Sequence, residues 1–316
     1  MGGGDNGRGG SVTGRGGHGD RVILAGLLVL CYATIIGFTD NFVRVIAERA
    51  GLWQFHATRT VMALALLGLL ARPLGLTLRP RRWRPVVARS LVHGTAMVVY
   101  FGCLAFLPVA VVAAGLFTAP IFTLLISRFV YGARIGPVRI AAVLIGFLGV
   151  LLVLGPGEGQ VLGPATVLPV VAGVLYALGN IATREWCGEE PAEVLLAGFF
   201  SALGVFGAIG LLVLALWHPE APAGPEGFIL RGATRPDGAF LIWTFVQAAG
   251  SLLGVGMMIR AYQVAEASRV AIFEYAILPA SALWTWVIWH EGISLRAGVG
   301  MAMIALAGLI IALRRP

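Results

Sequence analysis

The sequence predicts an all-α integral membrane protein: ten transmembrane helices arranged as two inverted five-helix repeats. Three observations carry this reading. The 316 residues are 58% hydrophobic and only 12% charged, with a mean hydropathy of +0.89, so the chain is too apolar for an all-aqueous surface. The apolar residues fall into ten runs, each close to the roughly 20 residues that cross a bilayer as a helix. The end of the first half also returns as the end of the second. A shift of 159 residues lays Pro120 on Pro279, Leu124 on Leu283, Ile145 on Ile304, Gly149 on Gly308 and Leu154 on Leu313. Only six of 44 positions from Val111 to Leu154 are identical under that shift. The weight lies in the repeated hydropathy, an apolar run, a short polar break and a second apolar run.

Taken in order, residues 1–20 hold ten glycines and no apolar run, and read as a disordered cytoplasmic tail. The first apolar run starts at Val22, too long and without the cleavage site of a signal peptide. The first repeat, 21–155, contains spans 22–46, 52–71, 86–106, 109–130 and 137–154. The second, 156–316, contains spans 161–183, 193–217, 239–265, 268–289 and 294–313. Their length and lack of alternation make them helices rather than barrel strands. Most links are short; 72–85 is rich in Arg and Pro, and 218–238 holds four prolines.

All 23 basic residues are arginine. Alternate loops divide them unevenly: 17 lie in or beside the loops of one side, and only Arg49, Arg231, Arg235 and Arg296 on the other. The positive-inside rule then puts both termini in the cytoplasm. Five spans per repeat is an odd number, so the halves enter the membrane in opposite directions, an arrangement suited to alternating access in the inner membrane. The arginines sit between apolar runs and form no basic domain, which argues against nucleic acid as a partner. Cys31, Cys103 and Cys187 have neither metal-ligand spacing nor a disulfide framework and read as free thiols. No cofactor or metal motif is present, and neither is H-E-x-x-H, G-x-S-x-G or a Walker motif. An intramembrane enzyme is therefore the weaker reading beside a carrier driven by a gradient.

Ionisable groups inside the bilayer cost about 3 kcal/mol on insertion scales, so each needs a partner, a water-filled cavity or a function. Asp40 lies about 9 Å and Arg59 about 10 Å in from the outer ends of their helices. Asp40 shares a face with Arg44, and His56 with Arg59. This outer group reads either as an ion pair tying helix 1 to helix 2 or as a cavity lining that meets a charged substrate or a proton. At inner depth, His93, Glu274 and Arg260 lie about 10, 9 and 8 Å from the cytoplasmic ends of helices 3, 9 and 8. Glu274 is expected to bind substrate or proton, or to pair with Arg260 or Arg269; Arg260 has the alternative of snorkelling to the interface. His93 and Tyr100 share a stripe of helix 3, as packing or cavity lining. Asn41, Asn180 and Gln247 offer neutral hydrogen bonds to a zwitterion or to neighbouring helices. Trp284, Trp286 and Trp289 read as an interfacial belt, and Gly250-x-x-x-Gly254 as internal close packing.

With these features the chain resembles the EamA-type members of the drug/metabolite transporter superfamily. The resemblance rests on the proline of each penultimate helix (Pro120, Pro279), the glycine of each final helix (Gly149, Gly308), the Asn41-Phe42 pair closing helix 1 and the arginine of helix 2, Arg59. The family's glutamate between the last two helices is present as Glu291, and Gly132 stands at the matching place in the first repeat. The resemblance covers residues 22–313. It implies a transporter of small organic metabolites, in a family that handles amino acids, vitamins and other metabolites.

Overall fold

The structure is a computed structural model that describes residues 16–103, 107, 109–155 and 164–313. Among these residues thirteen α-helices make ten spans long and apolar enough to cross a membrane. Span 1 is α1 (Gly16–Asp40) continued by α2 (Val43–Arg49); spans 2 and 3 are α3 (Leu52–Ala71) and α4 (Trp83–Cys103). Span 4 is α5 (Val109–Leu116) followed by α6 (Ala119–Phe129), and span 5 is α7 (Pro137–Leu154). Spans 6 to 8 are α8 (Val167–Glu185), α9 (Ala192–Trp217) and α10 (Gly238–Val264). Span 9 is α11 (Ala267–Phe273), a 3-10 turn over Glu274–Ala276, and α12 (Ile277–Trp289); span 10 is α13 (Leu295–Leu313). The expected spans agree with these to within a few residues. Residues 1–15 of the glycine-rich tail lie outside the described residues. The boundary at residue 20 is corrected: α1 already runs from Gly16, because extending a formed helix costs little compared with nucleating one.

Helix pairing carries the internal symmetry. Span 5 packs along span 10, and span 2 along span 7; span 1 packs on spans 8 and 9 as span 6 packs on spans 3 and 4. Exchanging each span with the one five places on maps this set of pairs onto itself. Because each half has five spans, the two repeats run in opposite directions. At the centre of the 5–10 pair the backbones nearly touch: a Cβ on Gly149 would lie 2.7 Å from the Gly300 carbonyl oxygen, and one on Gly300 2.5 Å from that of Gly149. Gly250 and Gly254 face Thr39 and Ile36 of α1, so this motif serves packing within the bundle. Small side chains at the crossings let backbones approach closely, which drives helix association where no hydrophobic effect acts between helices. Ala25, Ala96, Ala142, Ala177 and Ala261 are accordingly fully buried.

Spans 4 and 9 are broken at corresponding places. Pro120 and Pro279, expected at mid-helix, instead fall in the first turn of the second half-helix. There a missing N–H costs nothing, since the first-turn donors have no intrahelical acceptor. Alternate loops meet on opposite faces. On the arginine-rich face the Glu190 carboxylate accepts from the backbone N–H groups of Arg81 and Arg82 at 2.8 and 2.7 Å. Glu266 holds Arg139 at 2.8 Å and Arg269 at 3.1 Å. On the other face Arg44 pairs with Glu291 at 2.9 Å, and Arg49 with Asp237 at 2.7 Å.

Candidate functional site

Two polar groups occupy the interior. The first is assembled where α1 ends. Asp40 closes α1, Arg59 projects from α3, and Gln247 from α10. The expected direct ion pair is corrected: among the described residues Asp40 and Arg59 form none, because the Gln247 amide lies between them. Its Nε2 donates to Asp40 Oδ1 at 2.7 Å, while its Oε1 accepts from Arg59 at 3.3 Å and from Ser251 at 3.1 Å. Gln247 is 1% exposed and Arg59 8%, whereas Asp40 is exposed. The guanidinium lies behind the carboxylate, against the Phe55 and Phe200 rings. Arg59 Nε and both His56 ring nitrogens are buried without a hydrogen-bond partner. A guanidinium and an imidazole with unmet polar atoms beside an accessible carboxylate offer one place for negative charge and one for positive.

The second group forms at the break in span 9. Glu274, 6% exposed, accepts from the Asn180 amide at 3.1 Å and from the Tyr262 hydroxyl through a short hydrogen bond. Asn180 Nδ2 also reaches the Tyr262 hydroxyl at 3.3 Å. Tyr176 is within hydrogen-bonding reach of the carboxylate, and Tyr32 within reach of Tyr176. The expected pairing with Arg260 or Arg269 is corrected. Arg260 is exposed and donates to Gln263 at 3.5 Å, the snorkelling arrangement; Arg269 is held by Glu266. A long cationic stem reaches the interface more cheaply than it buries its charge. His93 stands one ring further out, 4.7 Å from the Tyr176 ring and edge-on to Phe199 at 5.2 Å, packed on Gly179.

The first repeat shows why only one half carries this acid. At the position matching Glu274, Gly115 is pressed onto Pro169 of α8, with no room for a Cβ. Tyr100 is half-buried and stacks edge-on with Phe101, itself edge-on to His56. Asn41 works between helices: it donates to the Gly37 carbonyl at 2.6 Å and accepts from Thr285 at 2.7 Å, tying α1 to α12 where α1 breaks. Trp284 is likewise turned inward, donating to the Thr34 carbonyl at 3.0 Å, and Trp289 lies under Arg44. Of the expected belt, only Trp286 is exposed. Two surface grooves, one beside Arg82, Arg84 and Trp186 and an apolar one beside Trp53, Phe206 and Trp217, lie apart from both polar groups.

Sequence reasoning passed over Tyr32, Tyr176, Tyr262 and Arg89. Tyr32 carried a signal, two turns before Asp40 on the same helix stripe. Arg89 was counted with the cytoplasmic arginines, yet it is 1% exposed, donating to Thr183 at 3.0 Å and to the Leu195 carbonyl at 3.3 Å.

Ten spans in two inverted five-helix repeats, with broken helices and charged groups inside, make up a ten-helix membrane fold of the drug/metabolite transporter type. Residues 23–155, the first repeat, match the EamA-like transporter family. A riboflavin transporter of Rhizobium johnstonii is 26% identical over 229 residues, covering 72% of this chain and 70% of its own. The aromatic amino acid exporter YddG of Ancylobacter novellus is 27% identical over 227 residues, covering 68% and 75%. A transporter of Helicobacter pylori is 23% identical over 296 residues, covering 92% and 95%. One crystal structure superposes with a TM-score of 0.72 at 19% identity, covering 93% of this chain and 98% of the other, and shows the same fold.

Proposed function

We propose that the protein is a secondary transporter that moves small organic metabolites, amino acids or related polar compounds, across the cytoplasmic membrane by alternating access. The observation that carries this reading is the Asp40–Gln247–Arg59 arrangement. An amide keeps an acid and a base apart, so neither neutralises the other and both remain available to a molecule carrying both charges. By the positive-inside rule the arginine-rich face is cytoplasmic, with both termini on it. Relatives named for riboflavin, pseudopaline and aromatic amino acids support a small organic cargo, and catalysis has no part in this reading.

The test is uptake into proteoliposomes from a panel of amino acids, vitamins and uncharged small organic compounds. A zwitterionic compound should be taken up by the wild type and lose at least tenfold in rate with Arg59→Gln in folded protein. Uptake confined to uncharged compounds, unaffected by Arg59→Gln, would overturn the assignment.

A further inference from the structure

We infer that Glu274, Asn180 and Tyr262 form a binding site for a monovalent cation, separate from the Asp40–Arg59 group, at the break in span 9. Glu274 is buried with only neutral groups in contact, and an uncompensated carboxylate at such a depth is costly. The counter-charge therefore comes from outside the chain.

The groups that face the carboxylate can be taken helix by helix. α1 contributes Tyr32, α8 Tyr176 and Asn180, α10 Tyr262, and α4 His93, which stands behind Tyr176; Arg89, one turn before His93, is engaged by Thr183 and the Leu195 carbonyl, and Arg184 of α8 by the Ala265 carbonyl and Glu185. Arg139 of α7 and Arg269 of α11 are engaged by Glu266. Arg128 of α6 is exposed, as is Arg296, the only charged residue of α13, and α12 carries no titratable residue. One negative charge thus meets no positive one, and one monovalent ion balances it.

The donor set suits a hard cation, which takes oxygen ligands. Glu274 Oε1, the Tyr262 hydroxyl and the Asn180 amide converge within 3.3 Å of one another. Asn180, 1% exposed, has its Oδ1 buried without a partner. A half-turn of that amide replaces the N–H now aimed at Glu274 with an oxygen, which converts a hydrogen-bonded empty site into an oxygen-lined occupied one. Sodium and the proton share this chemistry, since each neutralises the carboxylate.

The ion's purpose, to couple a gradient to transport, rests on the carrier reading; its binding does not, and is measured without transport. The thermal midpoint of purified full-length protein in detergent would be followed as sodium replaces N-methyl-D-glucamine at constant ionic strength and pH 8. In a second arm, pH would be lowered from 8 to 5.5 without sodium. A sodium site predicts a rise of about 2 °C or more in the first arm, and a proton site a comparable rise in the second. Either rise should vanish in Glu274→Gln. Asn180→Ala, which keeps the acid, should move the sodium response to at least tenfold higher concentration while leaving a proton response in place. If Glu274→Gln does not fold, Asn180→Ala and Tyr262→Phe read the sodium arm, and Glu274→Asp the proton arm. Responses in both arms that are absent from the wild type, or unchanged in the variants, overturn the site.

Discussion

Gln247 of α10 joins Asp40 of α1 to Arg59 of α3, donating to the first at 2.7 Å and accepting from the second at 3.3 Å. If the two charges communicate through that amide, their energetic coupling depends on it. Asp40→Asn and Arg59→Gln should be non-additive in thermal stability in the wild-type background and additive in Gln247→Leu. Leaving buried partners unsatisfied, Gln247→Leu alone should cost about 1–3 kcal/mol. Non-additivity that persists without Gln247 would show that the charges meet directly.

The repeat seam gives a steric prediction. Gly149→Val places a branched side chain against the Gly300 backbone, and overpacking of this kind costs about 1–3 kcal/mol. Gly68→Val on α3, where an added Cβ meets nothing within 4 Å, should shift the midpoint far less. Equal shifts for the two variants would place the close contact elsewhere.

Orientation is open to labelling. A cysteine at Ala223 should react with an impermeant maleimide added outside cells, and one at Arg81 should not; reversed labelling would invert the topology. The native Cys187, on the loop after α8, should stay silent. It is fully buried, and burial pushes its thiol up to about 11, with Arg89 pulling the other way. Near pH 7.5 it is therefore protonated, and since the thiolate is the reactive form, alkylation should be at least about tenfold slower than for an exposed cysteine. Rapid modification of Cys187 in folded protein would contradict that burial.

The spans were legible because a bilayer imposes a length and a hydropathy that each run must meet, and the inversion followed from the odd number of spans per repeat. Level placement of Asp40 and Arg59 could be read from helix rise alone. The amide between them could not, because it arrives from α10 and rise along one helix says nothing of which neighbour turns inward. For the same reason helix rise could not choose between an inward and a snorkelling Arg260, nor tell that Arg89, beside a cytoplasmic loop, is buried: depth was readable, azimuth was not. The break at Glu274–Ala276 has no marker before Pro279, which only starts the helix that follows.

The central claim is that the two repeats move against each other around the polar interior, so the seam that closes the arginine-rich face must open in each cycle. Arg139 of the first repeat meets Glu266 of the second there at 2.8 Å. The most direct measurement is solute counterflow in proteoliposomes carrying Arg139→Cys and Glu266→Cys, before and after bridging the two thiols with a reducible bis-methanethiosulfonate and again after reduction, with the treated wild type as control. A direct disulfide needs closer backbones than two long side chains require. The account predicts exchange before bridging, its loss when the bridge forms and its return on reduction. Undiminished counterflow in fully cross-linked protein would contradict it.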